Sequence, residues 1–239
     1  MKSYSIDKFI NGLEKLDITL SETQINQFLK YYEMLVEKNK VMNLTAITEF
    51  DEVIEKHFLD SLQIAKYIKF SEDTKLIDIG TGAGFPGIPL KIVFPEIETV
   101  LLDSLNKRIL FLQEVVDELG LEKIELLHGR AEDFGKNPAY REKFDLCVSR
   151  AVANLSSLSE YCLPFVKTGG NFVPYKSGNM EEELEQAKKA VFLLGGKINS
   201  VERFQLADAG RSLVFINKER NTPKKYPRKA GLPTKEPLG

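Results

Sequence analysis

Apolar positions along the first seventy residues recur at three- and four-residue spacing, the period of a helix with one buried face. Ile6, Phe9, Ile10, Leu13 and Leu16 mark the first such face. Ser21-Glu22-Thr23-Gln24 has the form of a capping box, in which Ser21 and Gln24 satisfy each other's backbone donors. It opens a second helix whose predicted buried stripe is Ile25, Phe28, Leu29, Tyr32, Leu35 and Val36. A third helical stretch follows Asp51, with Ile54, Phe58, Leu62, Ala65 and Ile68 facing inward. The polar break at Phe70-Ser71-Glu72-Asp73 closes this region.

Beyond it, short apolar runs alternate with helical ones. Strands are predicted at Lys75 to Ile79, Val100 to Asp103, Ile124 to Leu127, Phe144 to Ser149 and Asn171 to Tyr175. Helices are predicted from Asn106 to the stop at Gly120, from Asn154 to Val166, and from Met180 to Leu194 before Gly195-Gly196. Lys197 to Phe204 and Arg211 to Asn217 read as a final hairpin. Alternating strands and helices imply an α/β fold, a doubly wound and mostly parallel seven-stranded sheet with helices on both faces. Three regions follow: a helical region at 1–70, an α/β domain at 71–217, and a tail at 218–239. The tail carries seven Lys or Arg against two Glu, and four prolines that argue against helix.

Composition narrows the function classes. The chain has 239 residues, 43% hydrophobic and 28% charged, with a net charge of −2. That supports a packed core and excludes a generally basic nucleic-acid coat, so any nucleic-acid contact must come from a local patch. Cys147 and Cys162 are too few for a disulfide framework and match no zinc spacing, so no metal is expected. They read as small buried hydrophobes. The N-terminus lacks the apolar core of a signal peptide, and no run approaches the roughly 18 apolar residues of a membrane span. The chain reads as soluble and cytoplasmic, without membrane association.

The chemistry concentrates in Asp78-Ile79-Gly80-Thr81-Gly82-Ala83-Gly84-Phe85-Pro86-Gly87, a glycine loop between a strand and a helix. Gly82, Gly84 and Gly87 satisfy G-x-G-x-x-G, a dinucleotide fingerprint. Asp78 to Gly84 satisfy a competing pattern, D-x-G-x-G-x-G, which sets an acid ahead of the glycines. An acid at the end of the first strand repels a pyrophosphate but suits S-adenosylmethionine, which bears an ammonium and a sulfonium, and this favours the methyl donor. Asp103, with Ser104 and Leu105 after it, ends the second strand, where a carboxylate accepts ribose hydroxyl hydrogens. Ala131-Glu132 follows the third strand, where a methyltransferase positions adenine. A closing β-hairpin is also the shape of the methyltransferase variant of this fold.

The acceptor is less legible. After the fourth strand stands Ser149-Arg150-Ala151, not the N/D-P-P-Y/F motif of exocyclic-amine methylation. Neither cysteine is presented as the nucleophile that methylation of a pyrimidine carbon requires. A target that is already nucleophilic, such as guanine N7, needs positioning but no general base, so no catalytic base is assigned. Arg150 can grip a phosphate or base edge. Lys176, at the end of the fifth strand, and His57, on the apolar side of its helix, are further positioning candidates.

Together the segments Asn43-Leu44-Thr45, His57-Phe58-Leu59-Asp60-Ser61-Leu62, Asp78 to Pro89, Arg130-Ala131-Glu132, Ser149-Arg150-Ala151 and Tyr226-Pro227-Arg228-Lys229-Ala230-Gly231-Leu232-Pro233 resemble the bacterial RsmG (GidB) methyltransferases over nearly the whole chain. The resemblance implies methyl transfer from S-adenosylmethionine to N7 of a guanine in 16S ribosomal RNA, with the small subunit or an assembly intermediate as partner; separately, the chain is expected to be a monomer. It implies a donor site made by Gly80, Phe85, Asp103, Ala131, Glu132 and Arg150, alongside Asp78, Gly82, Gly84, Ser104 and Leu105 from the loop and strand pattern. It places His57, Lys176 and Arg228 on the RNA side. Lys229 joins them on the tail, whose cations can track a phosphate backbone. Under this reading, loss of the tail abolishes RNA methylation and spares donor binding. Rival readings are a methyltransferase of small molecules or proteins, a nicotinamide-dependent oxidoreductase, and a module that only senses the donor.

Overall fold

The computed structural model describes residues 4–150, 153–178, 180–207 and 209–239. Its strands are β1 (Lys75–Ile79), β2 (Glu98–Asp103), β3 (Ile124–His128), β4 (Phe144–Arg150), β5 (Val166–Ser177), β6 (Gly196–Leu206) and β7 (Ala209–Lys218). They form one sheet in the order β3-β2-β1-β4-β5-β7-β6. Strands β1 to β5 pair in parallel, and β7 runs antiparallel to both β5 and β6. The doubly wound sheet is thus mixed, its final hairpin supplying the antiparallel edge. Chain order reverses direction between β1 and β4, and it is at such a switch point that open α/β sheets hold ligands.

Helices α1 (Asp7–Glu14), α2 (Glu22–Met42), α3 (Phe50–Val53) and α4 (Asp60–Leu62) precede the sheet. Around and between its strands lie α5 (Gly87–Val93), α6 (Asn106–Leu119), α7 (Ala131–Phe134), α8 (Leu155–Cys162), α9 (Glu181–Leu193) and α10 (Leu232–Lys235). The capping box forms: Gln24 N donates to Ser21 Oγ, and Ser21 N donates to Gln24 Oε1 at 2.9 Å. Gln24 Nε2 also donates to the carbonyls of Ile92 and Val93, so one side chain starts α2 and satisfies the end of α5. Gly120 closes α6 in the left-handed conformation, φ 61°, that the sequence anticipated.

Alternation along each strand divides two apolar layers. Leu76, Leu101, Leu146 and Val148 face one side and pack with Phe9, Leu13, Phe28, Tyr31, Phe58, Ile88 and Leu112. Ile77, Leu102, Cys147 and Phe172 face the other and pack with Leu155, Leu158, Cys162, Ala187 and Val191. The N-terminal helices therefore share the sheet's core. Each fully buried Phe or Leu contributes about 2 to 3 kcal/mol from apolar area, so this layer is strongly held.

Three details differ from the periodic reading. In α2 the buried face carries Tyr31, while Ile25, Leu29 and Val36 are only partly covered. The stretch after Asp51 is not a uniform helix: Ile54–Leu59 widens to a π-turn and Gln63–Lys66 tightens to a 3-10 turn. The tighter turn rotates Ile64 into the core, where Ala65 was expected. In the tail, one helical turn forms despite the prolines, because Pro233 sits in its first turn, where no N–H is needed.

Candidate active site

Two cavities open at the carboxyl ends of the strands, on either side of the switch point. The first is a groove of about 540 Å³ lined by Gly80, Asp103, Ser104, Leu105, Ala131 and Glu132, with Ile79, Leu102, Gly129, Arg130, Ala153, Asn154, Tyr161, Gly231 and Thr234. Six of the residues expected to meet the donor thus stand together. The strand ends are fastened to one another: Gly80 N donates to Leu102 O and Gly129 N to Asp103 O. The Asp103 carboxylate is buried, with Oδ1 accepting from Leu105 N and Oδ2 from Gly82 N, both at 2.9 Å. Arg108 Nη1 also reaches Oδ2, at 3.2 Å. Leu105, 43% exposed, is one of the few large apolar side chains left uncovered, and it lies on the groove wall. A carboxylate beside an uncovered apolar face suits a ribose joined to an aromatic base, so the donor set fits S-adenosylmethionine.

Asp78 is not on this wall, which corrects the charge argument made for it. The pleat turns it beneath the glycine loop, fully buried, where Oδ2 accepts from Thr81 Oγ1 at 2.8 Å and from Gly87 N at 2.9 Å. Burial pushes its carboxyl up to about 7, against the pull of those two hydrogen bonds. Its role is to brace the loop. Gly82 acts through its N–H on Asp103. Gly84 has φ 104°, and a Cβ there would meet Tyr31 Oη at 2.7 Å, so it permits the close approach of α2. Tyr31 in turn donates to Ala83 O.

Phe85 and Arg150 lie toward the second cavity. Phe85 is buried, stacked on His57 with ring centroids 4.6 Å apart, and the Arg150 guanidinium sits 4.8 Å from its centroid. The second cavity, about 400 Å³, is lined by Ile47, Lys56, His57, Asp60, Arg150, Tyr175, Lys176, Ser177, Glu183, Phe204, Arg211 and Ser212. The π-turn places His57 at this cavity while Phe58 enters the core. His57 Nε2 lies 2.8 Å from Thr45 Oγ1, and its Nδ1 is 3.1 Å from the Lys56 carbonyl. Burial first, and the Arg150 charge second, push its pKa down to about 3, so the ring is neutral at neutral pH.

Arg150 Nη1 donates to Asp60 Oδ2 at 2.9 Å, and Arg211 Nε stands 3.8 Å from Asp60 Oδ1. Burial raises the Asp60 carboxyl while Arg150 opposes that rise. Lys176 Nζ donates to Glu183 Oε1 and to Ala153 O, both at 2.6 Å. Since Ala153 lines the first groove, Lys176 joins the two cavities. The second cavity therefore gathers four cations, Lys56, Arg150, Lys176 and Arg211, around two carboxylates and a neutral imidazole. Ala151, part of the motif after Arg150, lies outside the described residues.

The tail residues behave differently from the expected phosphate-tracking arm. Arg228 is committed to buried Glu160 through Nε and Nη2, so its fork is already filled. Lys229 is exposed. Asp60 and Gly231 stand in segments that carry the resemblance and Arg211 opens the second strand of the predicted hairpin, but none was given a site role, and Glu183 and Thr234 carried no signal at all; only folding brings them to the cavities. Thr45 stands in the Asn43-Leu44-Thr45 segment, but only folding brings it to His57. Among the described residues no cluster of His, Cys, Asp and Glu has metal-site geometry, and no helix is long and apolar enough to cross a membrane.

Residues 24–214 match the protein family described as GidB, rRNA small subunit methyltransferase G. The chain is 53% identical over 232 residues to the ribosomal RNA small subunit methyltransferase G of Lachnoclostridium phytofermentans, covering 96% of each. It is 51% identical over 240 residues to the protein of that description from Clostridium tetani, covering 100% of each. Among solved structures it is similar to M. jannaschii TYW2 in complex with AdoMet, with a TM-score of 0.55, 14% identity, and coverage of 72% of this chain and 79% of that one. At that identity the likeness concerns the fold.

Proposed function

Because this chain belongs to the GidB family, the rRNA small subunit methyltransferases G, we propose that its two cavities are a donor groove and an acceptor pocket for methylation of N7 of one guanine in 16S ribosomal RNA. The chain is an S-adenosylmethionine-dependent rRNA methyltransferase. The observation that carries the finer reading is the pairing of a carboxylate-bearing groove with a cation-rich pocket across one switch point, linked through Lys176 and Ala153.

S-adenosylmethionine, when bound, supplies a methyl group already activated by its sulfonium. In the donor groove, Asp103 accepts from ribose hydroxyls, Leu105 offers its apolar face to adenine, and Ala131 and Glu132 frame the base edge. On the acceptor side, Arg150, Arg211 and Lys176 offer charge to a flipped nucleotide and its phosphates. Asp60 and Glu183 offer acceptors for the N1–H and N2–H2 of guanine, which leaves the N7 edge free to face the donor. Guanine N7 has a lone pair and no proton to lose, so positioning suffices. With its pKa pushed down to about 3, the His57 imidazole is too weak a base to take up a proton near neutral pH, which suits a transfer that needs no base. Both thiols are fully buried, against a pyrimidine-carbon mechanism.

The test uses purified protein, methyl-labelled S-adenosylmethionine and unmodified bacterial 30S subunits, followed by digestion of the RNA. Label is expected in 7-methylguanosine at a single site of 16S rRNA. Label in another nucleoside, or none with donor binding intact, overturns the N7 assignment.

A further inference from the structure

The donor groove has a wall that no strand end supplies. Gly231 and Thr234 line it, and they belong to the basic, proline-rich tail. Successive anchors hold that tail down. Arg141 Nη2 donates to Thr222 O at 2.6 Å, and its Nη1 donates to the carbonyl of buried Tyr226 at 2.9 Å. Glu160 on α8, 0% exposed, accepts from Arg228 N at 2.7 Å, Nε at 2.9 Å and Nη2 at 2.7 Å. Ser157 Oγ donates to Pro233 O at 2.7 Å, and Tyr161 Oη lies 2.6 Å from Thr234 Oγ1. Between these points Gly231 N donates to Glu132 Oε1 at 2.8 Å.

A buried carboxylate is stable only when its charge is met, and here Arg228 meets that of Glu160. The tail therefore cannot leave as a solvated arm without stranding Glu160. Its position also fixes Glu132, a buried carboxylate on the groove wall whose Oε1 accepts from the tail's Gly231 N. An acid held in one rotamer before ligand arrives loses less entropy on binding.

We propose that residues 226–236 are a strap that completes the methyl-donor site at its Glu132 end, so that the tail governs affinity for S-adenosylmethionine rather than for RNA. This rests on the donor-groove reading above. The strap replaces the expectation that the tail serves RNA alone: removing residues from 218 onward abolishes donor binding as well as methylation.

The decisive experiment is calorimetric titration of S-adenosylmethionine into the full-length protein and into Thr234→Val, Thr234→Leu and Thr234→Trp. Thr234 is exposed, so added bulk enters the groove and not the core. Donor Kd is expected to rise with side-chain volume, at least tenfold for tryptophan, while the KM for 30S subunits stays at its wild-type value and the ligand-free melting temperature is the same in all three variants, each of which lacks the hydroxyl that meets Tyr161. Arg228→Lys keeps the charge but loses the fork. It is expected to raise the donor KM several-fold and leave the rRNA KM unchanged. Donor affinity within twofold of wild type across the Thr234 series overturns the proposal, as does a rise in rRNA KM alone for Arg228→Lys. Failure of the wild-type protein itself to bind S-adenosylmethionine overturns the donor-groove reading, and the strap with it.

Discussion

Asp78 and His57 sit in the same apolar layer, and burial acts on them in opposite directions. Folding raises the Asp78 carboxyl to about 7 from an ordinary 3.8, so the folded chain keeps a proton that the unfolded chain sheds. That contribution to stability is complete below the unfolded value and is lost as pH rises toward 7. Folding lowers the His57 imidazole from 6.5 to about 3, so the unfolded chain takes a proton that the folded chain refuses. That contribution is present above the unfolded value and is lost as pH falls toward 3. Between about pH 4 and 6.5 the two slopes oppose each other, each with a ceiling of about 1.4 kcal/mol per pH unit. Thermal melts across that window are therefore expected to diverge between single variants. His57→Phe, which keeps a ring against Phe85, gains stability relative to wild type as pH falls. Asp78→Asn, which keeps an acceptor for Thr81 and Gly87, loses it. Parallel curves for all three proteins refute this account. At this scale the sequence was a partial guide. The pattern around Asp78 pointed to an acid near the loop, but only the pleat decided that the acid faces down, bracing Gly87, while Asp103 takes the groove.

Among the elements, α2 shows how a local signal acquires a distant task. Its capping box is written in Ser21 and Gln24, and the same Gln24 reaches the last carbonyls of α5 behind the glycine loop. Ser21→Ala removes the acceptor for Gln24 N, and the expected cost is about 1 kcal/mol, read as a lower denaturant midpoint with an unchanged slope. A changed slope, or no loss, means that the cap is not what holds this end. The helical stretch from Phe50 to Lys66 was legible in kind but not in pitch. Its π and 3-10 turns arise because His57 must meet Thr45 and Phe85 while Phe58 and Ile64 fill the core. Those demands come from partners outside the segment, so no periodicity within it could announce them.

Across the whole molecule, one apolar layer joins Phe9 and Phe28 near the N-terminus to Leu101 and Leu112 in the α/β unit. A shared core predicts shared unfolding. The chain has no tryptophan, so single probes are clean. Tyr4→Trp reports on the ring cluster with Tyr32 and Phe50, and Phe192→Trp replaces a side chain already 63% exposed on α9. Both variants are expected to show the same denaturant midpoint, and separated midpoints would mean an N-terminal layer that melts on its own. What the sequence by itself determined was the order of strands and helices, the mostly parallel sheet, the glycine loop and the acids at strand ends. Those features are encoded locally, by spacing, caps and turn residues that act over a few positions. What only the tertiary structure decided was which side of the pleat each acid takes, the gathering of Arg150, Asp60, Lys176 and Arg211 into one pocket, and the fate of the tail. A run of lysines, arginines and prolines reads as a solvated arm until a fully buried glutamate on another helix requires one of those arginines. Burial of a partner distant in sequence is what converts the tail from a charged end into a wall of the groove at the strand ends.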